Sequence, residues 1–424
     1  MRENLSRRDF LAFTGAALVS ASEVSALQGQ SIQPGKKLYL YASSWTKGPF
    51  GSGGGGGIRV FTVNMSDGSL TPVSGGTGPE FDDLNGGDLC VSPNGRVLYC
   101  TSETKHLDGK VGAGGGVLSF AINQENGSLT HLNTQPSMGV NATWVAIDAA
   151  AKRIVVANHG DADPTIQVAK KNGVPEIETF FDDGTVSLFF LKPDGAMEPA
   201  SDVAVFERTH GVDMRAQGSP HAHSANFDPS NRFVLACDTG GDFIYVYRVD
   251  PGSRVFTNAK SFKTRPGISP RHSAFHRRAP YVFVIHERES SLASYHFDSK
   301  TGDVSLVQTV PTVPADFTGT NQPSNIRVHP NGKFVYGANR GHDSIASFRI
   351  DEATGKLTAV EITPAGGSNI REFNFEPSGK YMFVGNMGSN NITTFAVDPD
   401  TGKMTATGAK IETPKPASLQ FVAL

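Results

Sequence analysis

Residues 324–363 read SNIRVHPNGKFVYGANRGHDSIASFRIDEATGKLTAVEIT, and this stretch decides the fold. The run Ile345–Phe348 alternates in character and ends in an aromatic, the pattern of a short, half-buried strand. Behind it stands Thr354-Gly355, a tight-turn signal, because glycine supplies the positive φ that strand-reversing turns require. A further short strand begins at Leu357–Val360, and His329-Pro330-Asn331-Gly332 marks a second hairpin upstream. The stretch therefore spells four short antiparallel strands, called A to D in chain order.

The same unit recurs along the chain. Runs equivalent to Ile345–Phe348 lie at Ile58–Phe61, Val117–Phe120, Val186–Phe189, Ile244–Tyr247, Leu292–Tyr295 and Ile392–Phe395. Their closing aromatics are 59, 69, 58, 48, 53 and 47 residues apart, and no sustained helical periodicity separates them. Four-stranded units of roughly 45–60 residues in series are the signature of a β-propeller. The chain ends support closure. Lys37–Ala42 matches a strand B, whereas Ala417–Val422 matches a strand A. The expectation is an all-β chain: one seven-bladed propeller over residues 36–424, with the C-terminal strand completing the first blade and removing its exposed edge.

In a propeller, strand A lines the central channel, and its start lies on the same face as the end of strand B. Aligning the seven A strands places Gly87, Thr143, His223, Arg271, Ser324, Arg371 and Ala417 in one column. The B strands end in Ser44, Glu103, His159, Thr239, Glu287, Arg340 and Met387. Two acids, three arginines and two histidines thus converge on one funnel mouth, with a sum of about +1 when the histidines are neutral. That charge suits an anionic or strongly polarised ligand. His221-Ala222-His223 also has the spacing of a strand-borne metal pair, but the arginines of the same funnel would repel a cation.

Other features set the frame. The chain has 424 residues, with 38 basic against 41 acidic, and a net charge of −3 points to neither nucleic acid nor an anionic membrane. Residues 1–30 read as an export address: Arg7-Arg8 precede an apolar stretch, Phe10–Val19, too short to span a bilayer, and Val24-Ser25-Ala26 suits a signal peptidase. The pattern is that of a twin-arginine signal, so the expected partner in transit is the twin-arginine machinery and the destination periplasmic or extracellular. The three cysteines exclude a disulfide scaffold, and Cys90 and Cys100 read as buried thiols on adjacent strands, a disulfide remaining open. Gly53–Gly57 and Gly114–Gly116 lack the ending of a phosphate loop and read as B–C loops. Residues 160–183 lengthen the B–C connection of the third blade, as a lid or a plain surface excursion.

Pro220-His221-Ala222-His223-Ser224, Asp238-Thr239-Gly240-Gly241-Asp242, Pro270-Arg271-His272, Glu287, Asp316-Phe317-Thr318-Gly319 and Asn339-Arg340-Gly341-His342-Asp343-Ser344 carry a resemblance. The chain resembles the seven-bladed propeller lactonases, which include 6-phosphogluconolactonases and a fungal carboxymuconate lactonizing enzyme. The resemblance implies a catalytic set of His223, Arg271, Glu287 and Arg340; beside it, Glu103, His159 and Arg371 of the two columns, with His221 and His342, are the expected substrate contacts. The expected substrate is a small-molecule lactone, the expected state is a monomer, and the chemistry requires no metal or organic cofactor. Departures are His286 in place of the family's usual Asn, Ile370 in place of its usual Pro, the 160–183 insertion and the export signal. A cycloisomerase acting on an unsaturated dicarboxylate, and a non-catalytic propeller binding carbohydrate or protein, are the alternative readings.

Overall fold

The computed structural model describes residues 36–47, 53–73, 81 and 84–424; the expected export signal lies outside them. Seven four-stranded antiparallel sheets follow one another around a ring. In blades 2 to 7 the strands run A to D in sequence, as in blade 5: Pro270–Phe275, Tyr281–His286, Ser291–Phe297 and Val304–Pro311. Blade 1 takes strands B to D from Leu38–Ser44, Ile58–Val63 and Leu70–Pro72, and its strand A is Pro416–Ala423. Leu38 pairs with Ala423 and Ser43 with Ser418, so the last strand closes the ring as expected.

Burial follows strand position. The B strands of blades 2 to 5 are buried at every residue, because both of their faces meet neighbouring sheets. The D strands, such as Thr257–Lys263, are largely exposed. This gradient explains why B strands read as continuous apolar runs and D strands as polar ones. Neighbouring blades are also latched. The hydroxyls of Tyr41, Tyr99 and Tyr336 donate to the carbonyls of Gly127, Gly195 and Gly402, in the C–D turn of the next blade, at 2.8, 2.9 and 2.8 Å. Tyr381 does the same to Ser66 at 2.9 Å, joining blade 7 to blade 1. The turn glycines serve twice: Gly127 has φ +73°, and a Cβ there would lie 2.6 Å from the Tyr39 ring.

One irregularity positions the site. In every blade the A–B ladder slips at the same level, for example between Ala142 and Trp144, Ala222 and Ser224, Pro270 and His272, and Ile370 and Glu372. Blades 2 and 6 slip between Gly86 and Leu89 and between Pro323 and Ile326, and blade 1 slips opposite Ala417. The skipped positions include each member of the expected A column. A bulge leaves its extra residue outside the ladder and re-aims its side chain. Seven bulges at one level therefore take seven positions out of their own ladders, and six of them, all but Gly87, carry side chains that are turned away from their sheets.

The insertion in blade 3 forms a separate hairpin, Thr165–Lys171 with Val174–Phe180, exposed at nearly every residue. It is a projecting surface element, moored at its base where Lys105 pairs with Asp161 and Asp182. Cys90, Cys100 and Cys237 are buried free thiols. Among the described residues, no helix is long and apolar enough to cross a membrane.

Candidate functional site

The charged members of the two columns meet as ion pairs. Glu287, which follows strand B of blade 5, accepts a hydrogen bond from Arg340 Nη2 at 2.9 Å on one carboxylate oxygen and forms an ion pair with Arg271 on the other, 3.0 Å from Nε. Burial alone would raise this carboxyl, but Arg340 and Arg271 outweigh it and hold it at about 2. Glu287 is thus a fixed anion. Arg271 is fully buried; its Nη1 donates to the carbonyl of Ser324 and contacts His272 Nε2 at 3.1 Å, while Nη2 has no partner. Burial and the adjacent Arg340 push Arg271 down from its ordinary range, and Glu287 opposes them. Arg340 is further anchored by Nε donating to the carbonyl of Gln322 at 2.9 Å.

A second pair stands in the same funnel. Arg371 Nη2 donates to Glu103 at 2.9 Å, and its guanidinium lies 4.5 Å from the centre of the Trp45 ring. Two carboxylates therefore face three guanidiniums, and one positive charge remains uncompensated. The Trp45 indole N–H is buried and unpartnered. Sequence reading missed Trp45, although it directly follows the column residue Ser44. The signal was its position, and the loop Gly53–Gly57 holds it there through Gly55 N donating to the Trp45 carbonyl at 2.7 Å.

Histidines form the opposite wall. His159 and His221 stack with centroids 4.3 Å apart and planes at 9°, and His223 meets His159 edge-on at 5.4 Å. Burial, reinforced by His221, lowers His159 to about 3; burial and then Arg271 push His223 well below the usual histidine range. Both are neutral imidazoles at physiological pH. His223 Nδ1 has no partner. The loop carrying His221 is clamped by Asp238, whose Oδ1 accepts from the backbone N–H groups of His221, Gly240 and Gly241 at 2.7, 3.0 and 3.0 Å. This explains why the Asp-Thr-Gly-Gly and His-Ala-His motifs occur together: the first fixes the second.

His223, Arg271, Glu287, Arg340, His221, His159, Glu103 and Arg371 thus form linked clusters. His342 stands apart: its Nδ1 bonds Ser344 Oγ at 2.7 Å and its ring packs on Phe317. The His-Ala-His pair does not assemble into a metal centre. His221 Nδ1 bonds the His159 carbonyl at 2.9 Å, and no group of three or more potential metal-ligating His, Cys, Asp or Glu side chains occurs among the described residues. Chemically, the site offers a neutral imidazole with a free nitrogen, a buried guanidinium with a free N–H edge and a net positive field.

Comparison with known proteins agrees with this architecture. A family model described as lactonase, 7-bladed beta-propeller, matches residues 39–421. The 6-phosphogluconolactonase of Bacillus subtilis is 30% identical over 343 residues, covering 80% of this chain and 85% of that protein. The 6-phosphogluconolactonase of Formosa agariphila is 28% identical over 332 residues, covering 75% and 82%. Among solved structures, the periplasmic gluconolactonase of Pseudomonas aeruginosa is similar with a TM-score of 0.76 and 26% identity, covering 91% of this chain and 99% of that one.

Proposed function

The chain belongs to the lactonase family of seven-bladed β-propellers, and from that premise we propose that it hydrolyses a sugar-type lactone at the funnel mouth, after export by the twin-arginine route. The observation that carries this reading is the unpartnered Nη2 of the buried Arg271, in a funnel that also holds the unpartnered Nδ1 of His223. Water attack on a lactone carbonyl produces a tetrahedral oxyanion, and a preorganised guanidinium edge in a dry site stabilises it. His223 removes the proton from the attacking water and returns it to the ring oxygen as the C–O bond breaks, leaving a hydroxy acid. Glu287, with one carboxylate oxygen on Arg271 and the other on Arg340, has no oxygen free for that step; it fixes the geometry of the two guanidiniums. Arg371, supported by Glu103 and Trp45, holds substrate hydroxyl or acidic groups, with His159 and His221 alongside. An aldonolactone, neutral itself but anionic in its tetrahedral intermediate and its aldonate product, fits both the net positive field and an exported enzyme, and the periplasmic gluconolactonase supports that choice.

The test is acid release from a panel of plain and phosphorylated aldonolactones by the mature chain, beside Arg271→Ala. Turnover should fall about a hundredfold or more in the variant. An unchanged rate would remove Arg271 from the oxyanion role, and a product with no added water would make the enzyme a cycloisomerase.

A further inference from the structure

A cavity of about 520 Å³ lies away from the funnel, between strands C and D of blade 4 and strands B, C and D of blade 5. Its size falls within the range of small-molecule sites. Ile244, Phe262, Ile268, Tyr295, Val304 and Leu306 give it an apolar wall, and Arg265, paired with Glu289, stands at its edge. His286 belongs to the same wall and is only 1% exposed.

His286 is the residue before the funnel column on its strand. The equivalent residues Asn158 and Asn339 spend their amides on the segment that follows strand D of the preceding blade, donating to the carbonyls of Ser137 and Thr312 at 2.8 and 2.7 Å. His286 behaves differently. Its Nδ1 lies 2.8 Å from Ser291 Oγ, and that hydroxyl donates to Glu289 Oε2 at 3.0 Å. A carboxylate only accepts, so the serine proton points at Glu289 and its oxygen takes Nδ1–H from the imidazole. Burial, with Arg265 second, lowers His286 to about 3, so the ring is neutral. Nε2 is left as a bare acceptor, and it has no partner. A buried acceptor without a donor is a standing cost that a ligand hydroxyl can remove.

We propose that this cavity is a second binding site, for a small molecule with an apolar ring and one hydroxyl that donates to His286 Nε2. The apolar wall takes the ring and the relay Glu289–Ser291–His286 fixes the tautomer that accepts the hydroxyl. The site does not depend on the lactonase reading, because it shares no side chain with the funnel clusters.

Calorimetric titration of the full mature chain with phenol, and separately with benzene, tests it. Phenol should bind saturably at one site, at least tenfold more tightly than benzene, and a histidine nitrogen resonance from Nε2 should shift on binding. His286→Phe should lower phenol affinity about tenfold or more. Leu306→Trp, at an exposed position of the wall, should block the cavity without touching His286, and serves if the first variant fails to fold. Equal affinity for phenol and benzene, binding that survives Leu306→Trp, or the absence of saturable heat would overturn the proposal.

Discussion

Replacing Glu287 by Gln keeps the shape of the side chain and removes its charge, which leaves Arg271 and Arg340 facing each other without their shared anion. The cost follows from the geometry. The carboxylate lies 3.0 Å from Arg271 Nε and 2.9 Å from Arg340 Nη2, with its side chain 21% exposed. Its displacement from 4.5 to about 2 corresponds to about 3 kcal/mol. That agrees with the ~3–5 kcal/mol lost when one partner of a buried pair is removed. The sign with pH is fixed as well. Glu287 has a depressed folded-state value, so its contribution is complete above about 4.5 and is lost as pH falls toward about 2. Denaturant unfolding of wild type and Glu287→Gln at pH 7, 4 and 2.5 measures this directly. The stability gap should be about 3 kcal/mol at pH 7 and should shrink steadily in acid. A gap below about 1 kcal/mol at pH 7, or one that stays constant down to pH 2.5, would refute the bridging role.

Other consequences follow from the same geometry. His223→Gln should lower kcat about a hundredfold or more while changing KM little, since it removes the base and not the binding groups; a selective rise in KM would make His223 a binding residue. Because burial and Arg271 push His223 well below the usual range, the wild-type kcat/KM should not fall as pH drops through 6.5; a titration centred there would contradict its buried, neutral state. Trp45→Leu removes the ring 4.5 Å from Arg371, and KM should rise about two- to thirtyfold, the worth of a cation–π contact; an unchanged KM would leave Trp45 with packing alone. Deleting residues 416–424 removes strand A of blade 1 and exposes the edge of Leu38–Ser44, so the shortened chain should aggregate or unfold. Soluble protein with the wild-type Tm would show that closure is not what holds the ring.

The repeats at Ile58–Phe61 through Ile392–Phe395, their glycine turns and the mismatch between the chain ends were legible in the sequence. Strand period and turn chemistry are local properties, written within a few residues of where they act. Repetition did the rest: once seven copies align, a column such as His223, Arg271 and Arg371 must converge, whatever the details of packing. What the columns do on arrival is not local. Glu287 binds Arg340, 53 positions away on the next blade, and Glu103 binds Arg371, 268 positions away, a contact that exists only because the ring closes. The Trp45 ring beneath Arg371 depends on the same closure, and the bulge that frees each column residue and the unpartnered nitrogens of His223 and His286 depend on strand pairing and packing. Sequence thus determined the blades, the ring and the identity of the converging side chains. The tertiary structure decided which charges cancel, which remain and which base is free, because burial and separation in space set those energies.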